Sequence, residues 1–186
     1  MRRILLLVTA VPIVLFSGSS AAEASGSTAY QWEAGAGAVC GVEPTACPDV
    51  AMADNGDTIS VRAMGNLDTA DGSASGGGFF WHRNSSGQLI ASGTITASRL
   101  IVFNAYGCLT APSPTNLCGG RAALVVHLVG HPAGDPSATV EANGILEVEC
   151  LIGSPPSGAH EGIRLNVQDV ITFNKSVRGD TLFIKS

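Results

Sequence analysis

The densest apolar content of the chain lies between Arg121 and Ile152, in two runs, RAALVVHLVGH and ILEVECLI, joined by a polar loop. In the second run Leu146, Val148 and Cys150 alternate with Glu147 and Glu149, the period-two pattern of a half-buried strand. In the first, Leu124, Val126 and Leu128 share one side and His127 takes the other. Similar alternation sets Ile59, Val61, Ala63 and Leu67 against Thr58, Ser60 and Arg62. That strand and Val50 to Ala53 flank the turn DNGD, which predicts a hairpin. A longer extended run, Gln88 to Phe103, places Leu89, Ala91, Gly93, Ile95 and Ala97 on one face; its pattern slips near Ser98 to Leu100, where a β-bulge is expected.

Shorter strands are predicted at Ala38 to Val42, Phe79 to Arg83 and Ile163 to Val167. A last hairpin is expected from Ile171 to Val177 and Leu182 to Ile184, around Arg178-Gly179-Asp180. Residues 68 to 78 read as a Gly/Ser/Asp loop, and residues 25 to 37 as a flexible arm whose Tyr30 and Trp32 tuck onto the body. The sum is about nine or ten short strands without a helical pattern or a fixed repeat, hence one all-β domain, an antiparallel β-barrel or β-sandwich. The missing repeat disfavours a parallel β-helix.

The beginning of the chain has a different character. Arg2 and Arg3 precede an apolar run from Ile4 to Phe16, and Ala22-Glu23-Ala24 offers small residues before Ser25, with Ser20-Ala21-Ala22 as an alternative cleavage site. Residues 1–24 therefore read as a signal peptide and 25–186 as a single secreted domain. The run is shorter than a membrane span and is broken by Pro12. Removing Arg2, Arg3 and Glu23 takes the basic and acidic counts from 10 and 15 to 8 and 14, so the net charge moves from −5 to −6. That acidity argues against nucleic acid or an anionic membrane as a partner. With 23 glycines and only 13% charged residues, the composition suits strands and tight turns.

Five cysteines fit an oxidising compartment and leave one thiol over. Cys108 with Cys118 and Cys40 with Cys47 are the expected local pairs, each closing a short loop. Strand parity turns Cys150 inward, as a buried and inert thiol; the alternative is a disulfide from Cys150 to Cys40 or Cys47 in place of the local pair.

Candidate chemistry is sparse. His127 and His131 would lie roughly 13 Å apart along a strand, too far to share a metal. Glu147 and Glu149 lie about 7 Å apart, a glycosidase-like spacing that an ordinary outward polar face also produces. In GGGFFWHR, residues 76–83, Phe80 and His82 share one face and Phe79, Trp81 and Arg83 the other; an aromatic and arginine stripe of that kind suits a sugar or planar ligand. No calcium loop, nucleophile elbow, phosphate loop or dinucleotide fingerprint is present, and no cofactor or metal is implied.

The segments GTITASRL, GGRAALVVHL, GILEVECLIGSPPSGAHEGI and TLFI together resemble a family of uncharacterised secreted proteins of bacteria and fungi. The resemblance implies a secreted β domain, assigns no activity and carries no site residues. Long strands and glycine-rich turns are also similar to small extracellular β-barrels of the dirigent or allene oxide cyclase type, as a fold analogy without a shared motif.

These readings favour an exported, non-enzymatic module for a small-molecule or surface ligand, with Trp81, His82, Arg83 and His127 as candidate ligand-binding residues. A small β-barrel enzyme of cyclase, isomerase or hydrolase type is the alternative, drawing acid–base groups from His82, His127, Glu147 or Glu149. A structural, envelope-associated protein is the third reading.

Overall fold

The computed structural model describes residues 29–186; the expected leader, residues 1–24, lies outside them. Eleven strands make up the fold: β1 (Ala29–Ala34), β2 (Asp49–Met52), β3 (Thr58–Asp68), β4 (Ser73–Arg83), β5 (Leu89–Cys108), β6 (Leu117–Pro132), β7 (Val140–Cys150), β8 (Gly162–Val167), β9 (Ile171–Phe173), β10 (Lys175–Arg178) and β11 (Thr181–Lys185). A short helix, α1 (Gly37–Val42), and a 3-10 turn (Pro44–Ala46) separate β1 from β2. No helix among the described residues is long and apolar enough to cross a membrane.

All pairings are antiparallel, and they return on themselves. Hydrogen bonding runs from β3 to β4, β5, β6, β11, β1 and back to β3. The seam between β6 and β11 is short, pairing only Phe183 with Cys118 and Ile184 with Leu117. Two flaps extend the ring: β7, β8 and β9 continue from β6, while β2 and β10 continue from β3. The flaps meet where β8 packs against β2 and β10.

Parity explains the core. Ile59, Val61, Ala63 and Leu67 of β3, and Leu124, Val126 and Leu128 of β6, all face inward and are buried. Leu146 and Val148 of β7 join Ile163 and Leu165 of β8 beside them. Burying a Leu or Ile side chain contributes about 1.5–3 kcal/mol, so this continuous apolar interior carries the fold. At one end of β6 the rings of Tyr30, Phe103 and Phe183 close the core, with Phe103 4.7 Å from Tyr30 and 4.9 Å from Phe183. The opposite end, around Gly130 and Pro132, stays open.

Several expectations are corrected. The predicted arm is in part β1, seated between β3 and β11, because Tyr30, Trp32 and Ala34 recur at the strand period and are buried. Residues 37–42 are helical rather than extended. The buried Glu33 carboxylate accepts hydrogen bonds from the backbone N–H groups of Ala38 and Val39, 2.8 and 3.3 Å away, satisfying donors at the start of α1. Residues 73–78, expected as loop, extend β4 backwards. There the strands cross so closely that a Cβ on Gly78 would lie 1.8 Å from the Arg62 carbonyl oxygen, so only glycine fits.

The expected terminal hairpin is absent. Asn174 breaks the run, β9 pairs with β8, β10 pairs with β2, and β11 pairs with β1 and β6. The expected bulge in β5 is present as a register shift between Ala97 and Arg99. Disulfides link Cys40 with Cys47 and Cys108 with Cys118, and Cys150 is free and buried. Two disulfides suit an oxidising, extracellular-type environment.

Candidate functional site

Between β3–β6 of the ring and the β7–β9 flap, at the open end of β6, lies a cavity of about 260 Å³. Its walls come from the inward residues of successive strands: Ile59 of β3, Phe80 of β4, Ala91 of β5, Leu128 and Gly130 of β6, Ala142 of β7, Val167 of β8 and Phe173 of β9. Ile90, Val140 and Val170 line its rim, and all three are exposed, Val170 by 70%. Exposed aliphatic side chains around an apolar hollow cost solvation, and such rims are common at ligand-binding sites in general.

One lining side chain is polar. His82 follows Phe80 on the inner face of β4 and presents its ring to the cavity. Its Nε2 lies 3.2 Å from Asp57 Oδ2, and its ring meets Phe173 edge-on at 5.3 Å. The other Asp57 oxygen accepts from the Ser85 N–H at 3.1 Å. Asp57 closes the DNGD turn between β2 and β3, and Ser85 belongs to the NSSG turn between β4 and β5, so one carboxylate ties both turns to the cavity mouth. Facing a carboxylate oxygen, Nε2 is the nitrogen that donates, and in the Nε2–H tautomer Nδ1 is left as an acceptor.

The four residues predicted to bind a ligand do not converge. Trp81 and Arg83 lie outside, on the opposite face of β4 from His82, and line a shallow depression of about 330 Å³ with Pro48, Ser60 and Arg62. His127 is outward on β6, with Nδ1 3.0 Å from Asn143 Oδ1 and Nε2 3.4 Å from Glu141 Oε2. His131 engages the Ala138 carbonyl at 3.0 Å.

Glu147 and Glu149 are not a free outward pair. Arg121 donates to Glu147 at 2.7 Å, and Arg164 donates to Glu147 and Glu149 at 3.3 and 3.2 Å. Tyr106 donates its hydroxyl to Glu149 at 2.7 Å, and Glu149 is buried beneath this network. Burial, then the bond to Glu149, pushes the Tyr106 phenol up to about 12. With guanidinium and phenol partners in place, the two carboxylates form a cross-strand clasp over β5, β6, β7 and β8. No exposed general acid is left there.

A second polar cluster lies where the flaps meet. Asp49 is fully buried, and neither of its carboxyl oxygens has a hydrogen-bond partner among the described residues. Burial first, then the charges of Glu161 and Asp180, raise its carboxyl to about 9. Glu161 is also raised, chiefly by burial, although it accepts from the backbone N–H groups of Thr181 and Leu151, each at 2.8 Å. The Thr181 hydroxyl lies 2.6 Å from the Glu149 carbonyl and 2.7 Å from Glu161 Oε1.

The chain matches no protein-family model, no curated protein and no solved structure.

Sequence reasoning missed Asp57 as a partner of His82, the burial of Asp49 and the Tyr106–Glu149 bond. Asp57 was visible as a turn residue, but its pairing with a histidine 25 positions away depends on the β3–β4 register. No local pattern marks Asp49 or Tyr106.

Proposed function

We propose that this chain is an exported, non-enzymatic binding protein that takes a small, predominantly apolar molecule into the cavity at the open end of the ring. The observation that carries this reading is the lining itself: apolar walls with one imidazole, oriented by Asp57, to meet a single polar group on the ligand. At about 260 Å³ the cavity is just below the roughly 300–1,000 Å³ typical of drug-sized ligands, which points to a compact guest. In its Nε2–H tautomer His82 offers Nδ1 to a hydroxyl or amide donor of the ligand.

The His82–Asp57 pair also favours a second reading, an isomerase or cyclase in which His82 moves a proton of the bound molecule. A carboxylate-oriented imidazole is a recognised acid–base arrangement. Binding is preferred because, among the described residues, no hydroxyl, thiol or second titratable side chain lines the cavity beside it.

The test is displacement of an environment-sensitive naphthylamine dye from the full chain by compact alcohols, phenols and the matching hydrocarbons. Saturable displacement in which an alcohol outcompetes its hydrocarbon by roughly tenfold, a gap lost in His82→Ala, supports the reading. No dye uptake, or uptake unchanged when Ala142→Phe fills the cavity, overturns it. Catalysed exchange of a ligand C–H proton with solvent, lost in His82→Ala, would favour the enzyme.

A further inference from the structure

We infer that the outer face of β3, β4 and β5 is a second binding site, separate from the cavity, whose ligand is an acidic polysaccharide. Phe79 and Trp81 stand on the outer side of β4 with ring centroids 6.5 Å apart, and Phe79 is 58% exposed. Trp81 lies between two shallow depressions. On one side are Arg62, Arg83 and Ser60, in the hollow already described. On the other is a hollow of about 310 Å³ bounded by Phe79, Ser92, Thr94 and His131. The register makes this a continuous surface, because Trp81 pairs with Ser60 on β3 and Ser92 on β5, and Phe79 pairs with Arg62 and Thr94.

Each component matches one part of a uronate-bearing sugar chain. A pyranose ring has an apolar C–H face that stacks on an aromatic ring, and adjacent aromatic rings along a strand accept successive parts of an extended chain. The Ser60, Ser92 and Thr94 hydroxyls are placed to exchange hydrogen bonds with sugar hydroxyls.

Charge then selects among sugars. Arg121 and Arg164 are neutralised by Glu147 and Glu149, but Arg62 and Arg83 have no carboxylate partner among the described residues. In a chain of net charge −5, these two guanidiniums, one of which (Arg83) also donates to the Gly87 carbonyl at 3.0 Å, flank the half-buried Trp81 indole and form a local positive patch. Guanidinium binds carboxylate through paired hydrogen bonds.

The test is affinity electrophoresis of the full chain through gels containing polygalacturonate, alginate, fully methyl-esterified polygalacturonate or dextran. Retardation by at least one of the acidic polymers, weakened by 0.5 M salt and absent with the ester and dextran, is expected. Trp81→Ala and the double variant Arg62→Gln/Arg83→Gln should each weaken binding at least tenfold, while His82→Ala leaves it unchanged. A measurement on the unaltered chain avoids dependence on folding of the variants: bound glycan should shield Trp81 from acrylamide quenching, with Trp32, 1% exposed, as the constant background. No retardation by either acidic polymer, equal retardation by the ester, or retardation unaffected by those variants overturns the proposal. So does finding by sedimentation that the chain dimerises and that Trp81→Ala abolishes the dimer, since the face would then be covered by a second copy. Cavity ligands and glycans should bind independently, so failure at one site leaves the other standing.

Discussion

Asp57 orients His82 from outside the strand that carries the histidine: its Oδ2 lies 3.2 Å from Nε2, and its Oδ1 is held by the Ser85 N–H. The side chains of the pair are 14% and 18% exposed, so the hydrogen bond is sheltered but not sealed. Removing the carboxylate frees the imidazole to rotate and to change tautomer. Asp57→Ala should therefore weaken binding of an alcohol in the cavity by roughly fivefold to tenfold, about 1 kcal/mol, and leave the matching hydrocarbon unaffected. Competition titrations with the two ligands measure this, and equal losses for both would refute the orienting role.

Asp49 gives stability a pH dependence of defined sign. Its folded carboxyl is raised to about 9, against about 3.9 in an unfolded chain, so the folded state retains a proton that the unfolded state releases. The contribution of this group is fully present below the unfolded value and is lost as pH rises towards 9. Glu161, raised as well, acts in the same sense. Melting temperature should fall steadily from pH 5 to pH 8.5, and Asp49→Asn should flatten the slope even if the amide itself costs about 1–3 kcal/mol. A melting temperature that climbs with pH over this interval would refute the assignment.

Gly179 sits directly over Asp49. Its φ is +117°, and a Cβ there would lie 1.8 Å from Asp49 Oδ1. Gly179→Ala should destabilise by at least about 1–3 kcal/mol from backbone strain, with the clash added. In an Asp49→Ala background the clash with the carboxyl oxygen disappears, so the same substitution should cost less. A double-mutant cycle measured by urea denaturation gives the coupling, and strict additivity would show that the contact is not felt.

Cys150 is the remaining thiol, and burial followed by the charge of Glu161 pushes it up to about 12. An aromatic disulfide reagent should label no thiol in the folded protein at pH 8 and one per chain in guanidinium. Rapid labelling of the folded protein would show that the interior around Cys150 opens readily.

Much of this architecture was legible as alternation. The inward faces of β3, β6, β7 and β8, the outward direction of His127 and the bulge after Ala97 all follow from residue parity. Features that depend on which strands become neighbours were not legible. β1 has only two bulky residues and becomes a central strand because β3 and β11 flank it. Residues 76–78 look like a loop until the close approach of β3 to Gly76 and Gly78, and of β5 to Gly77, explains why they lack side chains. Tyr106 and Glu149, 43 positions apart, meet across β6, and no local pattern carries that information. The candidate site was half visible: His82 was found, whereas Asp57 and the cavity required the register.

The position of β1 between β3 and β11 has a kinetic consequence. The ring cannot close until β11 has been synthesised, and the backbone bond from the Ser186 N–H to the Ala29 carbonyl, 3.0 Å long, joins strands about 150 residues apart in sequence. Until then β1 presents a bare edge, able to capture a strand from another chain. Assembly is thus a race between intramolecular capture of β11 and pairing between molecules, one that dilution favours and crowding among half-made copies opposes.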